Sequence, residues 1–216
     1  MRLLFHAIVV VLGTLSMGFQ LLASRLLAPH FGSSIIVWAW LISTFLAAFS
    51  LGSMLGGWIS GTAAARRQRL QLAAAAVGTA SLALTAFCAR RLLDRIELAF
   101  LPAAADGMPE VGGMSAALFV SCLSLFFVPV TALSSFGPQC VDHLAARGLA
   151  PGAASGLVYG LSTLGNIAGV MLTAFVLIPN PHLGLTRLLY LWLAVAILSF
   201  AGLILILRAM PERTSP

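Results

Sequence analysis

The residues best spaced for chemistry in this chain lie between Ser155 and Thr173. Ser155, Tyr159, Ser162, Asn166, Gly169 and Thr173 recur at steps of three or four, so a helix carries them as one stripe. A line of hydroxyls with one carboxamide among them can serve two ends. It can bond across to another helix, with Gly156, Gly160 and Gly165 letting backbones approach, or it can wall a polar cavity where Asn166 meets a solute. Gln20 poses the same choice, because an amide in hydrocarbon needs a partner. Arg25 stands near the end of its apolar run, where it can snorkel outward or meet a ligand. A second small-residue pattern, Ser43, Ala47, Ser50, Gly57 and Gly61 with Gly52-x-x-x-Gly56, reads as tight packing. Gln20, Arg25, Ser50, Tyr159, Ser162, Asn166 and Thr173 are therefore the candidate cavity or interhelical contacts.

Other chemistries find no support. The histidines at 6, 30, 143 and 182 form no i, i+4 pair, so neither a metal site nor haem is expected. None of the expected spans contains an acidic residue, which argues against a carboxylate proton relay. There is no phosphate loop, nucleophile elbow or carboxylate pair, so no catalytic residue and no cofactor is expected, and the chain is not expected to be an enzyme. The cysteines at 88, 122 and 140 have no ligand or framework spacing and read as small apolar fillers.

The elements that must position these residues follow from composition. Sixty per cent of residues are hydrophobic and 8% are charged, whereas a soluble domain carries about 25% charged residues. Such a chain needs a lipid bilayer as its partner. Its net charge of +6 speaks for topology rather than for nucleic acid, because the arginines flank apolar runs. Six spans are predicted, at about 3–27, 34–60, 70–89, 114–134, 155–178 and 186–208, forming one all-α transmembrane domain over 1–208. The tail 209–216 is expected to be disordered. The first apolar run is too long for a signal-peptide core and is expected to be a retained helix. Its break is expected at Pro29, with a compact turn through His30, Gly32, Ser33 and Ser34 and with Trp38 and Trp40 as interface anchors.

With both termini cytoplasmic, Arg2, Arg66, Arg67, Arg69, Arg147, Arg208 and Arg213 lie inside, against Arg25, Arg90, Arg91, Arg95 and Arg187 outside. On the outer side, Leu92, Leu93, Ile96 and Phe100 share a helical face, which suggests a short surface helix or else a solvated loop. Residues 102–113 read as a flexible loop. A shift of 112 residues superposes Ser43 on Ser155, Ser50 on Ser162 and Gly57 on Gly169, which suggests an inverted repeat of three spans.

Two segments together carry a family resemblance. ASRLLAPHFGSSIIVW (Ala23–Trp38) with LGSMLGG at 51–57, and GLVYGLSTLGNIAGVMLTAFVLIP (Gly156–Pro179), resemble the membrane domain of the spermidine-synthase-like bacterial membrane proteins, fused major-facilitator/spermidine-synthase proteins. The resemblance implies a six-helix, half-major-facilitator-like bundle in the bacterial inner membrane. The 216 residues are expected to lack the soluble aminopropyltransferase-like domain of that family. Gln20 stands where the family usually has an acidic residue, and GGWISGTAAARRQR lacks the Asp of the facilitator motif GG-x-x-x-D-R. The expected function is transport of a small polar or cationic solute, as a half-transporter in a homodimer. The alternative is a membrane anchor or scaffold for a separately encoded aminopropyltransferase-like enzyme or another membrane complex.

Overall fold

The computed structural model describes residues 2–101 and 111–208. Among them there is no strand, and the order is α1 (Arg2–Phe31), α2 (Ile35–Ser60), α3 (Ala64–Phe100), α4 (Val111–Cys122), a π-helical turn (Leu123–Phe127), α5 (Val128–Ala146), α6 (Pro151–Leu172), a second π-helical turn (Thr173–Leu177) and α7 (Leu185–Arg208). The segments from α4 to α5 run on as one span, as do α6 and its π turn. Six helices are thus long and apolar enough to cross a membrane, and the chain is an all-α, multi-pass membrane protein. Six crossings put Arg2 and Arg208 on the same side, the terminal side; the opposite side is distal. Most of the loop expected over 102–113 and the whole tail from 209 lie outside the described residues, while Val111 to Gly113 already belong to α4.

Several expected boundaries move, each for a local reason. The first helix does not break at Pro29; it continues to Phe31, because a proline in the last turn removes only one intrahelical bond. The turn comes at Gly32, whose φ of 73° is a left-handed conformation that glycine adopts freely. Ser34 then caps α2, its Oγ accepting the Val37 N–H at 3.4 Å. The third span and the expected surface helix are one helix of 37 residues. No proline interrupts it, and Ala75, Gly78, Leu82, Ala86, Ala89, Leu93 and Ile96 keep a single buried face along its length. At 1.5 Å per residue it is about 55 Å long, so its last turns stand clear of a hydrocarbon core of roughly 30 Å. The fourth span does not stop at Ser134 but reaches Ala146. Pro129 deprives the Leu125 carbonyl of its helical donor, and the π turn falls there. The Thr85 hydroxyl of α3 donates to that carbonyl at 2.7 Å, so the freed group is satisfied by a neighbouring helix.

The closest helix pairs are α1 with α6 and α2 with α5; α1 with α7, α3 with α5 and α3 with α7 follow. Exchanging span 1 with 4, 2 with 5 and 3 with 6 turns α1–α6 into α2–α5 and α1–α7 into α3–α5. This is the pairing that an inverted three-span repeat requires. Its register differs by one residue from the expected 112. Gly57 has open space where a side chain would stand, whereas Gly52 and Gly56 face Thr131, Ser134 and Ser135 of α5. Gly165 and Gly169 face Val10 and Thr14 of α1 in the same way. The matching glycines are 113 apart.

Polar ties, one of them buried, hold the outer helices. On the terminal side the Gln71 Nε2 of α3 donates to Gln139 Oε1 of α5 at 2.9 Å, and Gln139 Nε2 donates to the Ser135 carbonyl at 2.9 Å. One turn further out Arg67 lies 3.4 Å from Asp142. On the distal side His30 Nδ1 of α1 lies 2.7 Å from Glu97 Oε2 of α3.

Candidate functional site

The candidate site is built on the seam between α1 and α6. A β-carbon on Gly13 would overlap the Ser162 carbonyl, and one on Gly165 would overlap the Val10 carbonyl. Only glycine lets the backbones come this close. The Thr14 hydroxyl closes the seam by donating to the Val10 carbonyl at 3.0 Å and to the Gly165 carbonyl at 3.1 Å. Gly13 therefore sets the turn from Ser162 to Asn166 in place. The mirror seam uses Ser134, whose hydroxyl reaches the Ala48 carbonyl of α2 at 3.2 Å.

Between the two seams α1, α2, α5 and α6 leave a cavity of about 240 Å³. Its polar lining comes from Ser16 of α1, Ser53 of α2, Ser134 of α5 and Tyr159, Ser162, Thr163 and Asn166 of α6; Phe49 and Leu133 are among its apolar walls. No charged side chain lines it. Gly137 and Pro138 complete the wall on α5. Pro138 has no N–H to give the Ser134 carbonyl, so that oxygen loses its helical donor beside the cavity. Carboxamide, hydroxyls and a free carbonyl together offer both donors and acceptors to a guest.

Distal to the cavity three aromatic rings pack together. Phe19, Phe45 and Phe126 are each buried, with ring centroids 6.1 Å apart for Phe19–Phe45 and 5.7 Å for Phe19–Phe126. Phe19 lies beyond Met17 in α1, Phe45 precedes Phe49 in α2, and Phe126 precedes Leu133 in the fourth span. On each helix the ring stands distal to the lining residues. From its middle depth the cavity runs toward the terminal side.

Of the seven residues singled out from sequence, Tyr159, Ser162 and Asn166 meet at this cavity. The others do not. Gln20 is half-buried and outside the lining, which corrects its reading as a candidate contact of this cavity. Arg25 and Ser50 are exposed on the bundle surface. Thr173 is fully buried near Gly18 and Trp192, its Oγ1 without a partner among the described residues. The stripe splits because its steps of three and four drift around α6, and Gly165 and Gly169 take the seam side. Sequence reasoning missed Ser53, Ser134 and Thr163. For Ser134 a signal was present in Gly137-Pro138, a carbonyl-freeing pair inside an apolar run.

No family model matches this chain. No curated protein and no solved structure matches it either.

Proposed function

We propose that this protein is a half-transporter of the bacterial inner membrane that binds a small, uncharged polar solute beside Asn166. The observation that carries the reading is the 240 Å³ cavity at mid-depth, lined by Ser16, Tyr159, Ser162 and Asn166, with three packed phenylalanines distal to it on α1, α2 and the fourth span. A cavity with no fixed charge offers nothing to repay the dehydration of an ion, so a cationic solute fits it poorly. A neutral guest with several hydroxyls or an amide exchanges water for the lining groups at little cost. The arrangement corresponds to one end state of alternating access, with the cavity extending from mid-depth toward the terminal side. With the cluster Arg66, Arg67 and Arg69 placed by the positive-inside rule, that side is the cytoplasm.

A six-span bundle supplies half of a twelve-span pathway, and the flanking helices α2 and α6 are the two least buried. Tyr159, which lines the cavity, is 56% exposed. A second copy laid on this face would cover the cavity mouth from lipid. The resemblance to the spermidine-synthase-like membrane proteins supports the same architecture.

The test is uptake of radiolabelled xylitol, glycerol and urea into proteoliposomes. Saturable uptake of at least one, lost in Asn166→Leu with thermal stability retained, is the expected result. Absence of saturable uptake, with Asn166→Leu lowering stability instead, would overturn the reading in favour of a scaffold.

A further inference from the structure

A second pocket, of about 160 Å³, lies at the terminal ends of α1, α5 and α6. His143 is 1% exposed, yet neither its Nδ1 nor its Nε2 has a hydrogen-bond partner among the described residues. At either ordinary protonation state an imidazole carries at least one N–H donor, and such a group left unpaired in the interior has lost the bonds that water would give it. Its ring is held by stacking on Phe5, with centroids 5.1 Å apart and planes at 23°. It lines the pocket together with Arg147 and His6, while Phe5, Leu149 and Leu157 provide apolar walls. The neighbouring acid, Asp142, is engaged by Arg67 at 3.4 Å and does not line the pocket.

We propose that this pocket binds a phosphate group, gripped by Arg147 and His6 at its mouth and by His143 at its base. A guanidinium fork matches phosphate oxygens, and a tetrahedral anion offers enough acceptors to engage three donors at once. The pocket sits at the end of the spans, at the depth of lipid headgroups. The group can therefore arrive on a lipid, with acyl chains against Leu149 and Leu157, or as free phosphate. This site is separate from the midplane cavity and stands whether or not the protein transports.

The experiment uses the full chain, labelled with ¹⁵N-histidine, in a phosphate-free uncharged detergent. The His143 imidazole signals are assigned by their absence in His143→Gln and then followed during titration. The probes are inorganic phosphate, dioctanoyl phosphatidylglycerol and dioctanoylglycerol, which lacks the phosphate. Saturable shifts of His143 with a phosphate-bearing probe are expected, weakened about tenfold or more in Arg147→Gln, as loss of a charged hydrogen-bond donor implies. Arg147 is exposed just past the end of α5, so its replacement leaves the bundle folded. A shift with phosphatidylglycerol alone identifies a lipid headgroup, and a shift with inorganic phosphate identifies a site for the free anion. No His143 shift, an equal shift with dioctanoylglycerol, or undiminished affinity in Arg147→Gln would overturn the proposal.

Discussion

Two amide sites in this bundle meet opposite fates. Gln71 and Gln139 face each other across α3 and α5, both buried, and the chain of bonds closes on the Ser135 carbonyl. Asn166 of α6 is half-buried and looks into a cavity among hydroxyls. The closed pair engages both amide nitrogens with protein and fixes how α3 sits on α5. The open amide has room beside it because Gly137 and Pro138 thin the facing wall. Residue type does not separate these two sites; what the neighbouring helix brings opposite each amide does.

The largest effect is expected from breaking the seam that holds the open amide in place. Gly165→Leu drives a side chain into the Val10 carbonyl and should cost about 3 kcal/mol, the upper part of the overpacking range. Thermal unfolding in detergent will read this as a large loss, and Gly56→Leu, which meets the Ser135 carbonyl, should match it in the mirror seam. A smaller effect awaits the closed pair. Gln139→Leu strands the Gln71 amide in the interior and should cost roughly 1–2 kcal/mol. The double replacement by leucine should recover most of that loss, because two apolar partners leave nothing unpaired; a double variant as unstable as the single one would show that the pair is not closed. Asn166→Leu should change stability by less than about 0.5 kcal/mol, as expected where no interhelical bond is lost, while abolishing uptake. The smallest effect is expected at Gly57, adjacent to Gly56 but facing open space. Gly57→Leu should unfold within about 1 °C of the parent in the same assay, and a drop like that of Gly56→Leu would move the seam by one residue.

The register of that seam marks how far sequence reading reached. The glycine pattern announced two close helix contacts, and an offset of 112 suggested a repeat of three spans. The structure assigns the contacts to Gly52, Gly56, Gly165 and Gly169. Gly56 and Gly57 are both small and adjacent on the chain, about 100° apart around a helix, so only the position of α5 decides which of them is covered. Span lengths suffered similarly. The fourth span was expected to end near Ser134, yet it runs on through Pro138 to Ala146, and the carbonyl that Pro129 releases within it is satisfied by Thr85 of α3.

What the sequence determined by itself was the environment and the class of fold. An apolar chain with few charges must place its backbone groups in helices when water is absent, so six long apolar runs become six membrane-spanning helices regardless of detail. Periodicity also placed Tyr159, Ser162 and Asn166 on one face. The tertiary structure alone decided that this face borders a cavity while Thr173 is buried, and that Gln20, Arg25 and Ser50 stand apart from it. It alone left His143 buried beside Arg147 without a partner among the described residues. The reason is physical: hydrocarbon solvates every apolar face about equally, so burial against lipid and burial against protein look the same in composition. Only close backbone approach and unpaired polar atoms tell them apart, and both depend on residues far away in the chain.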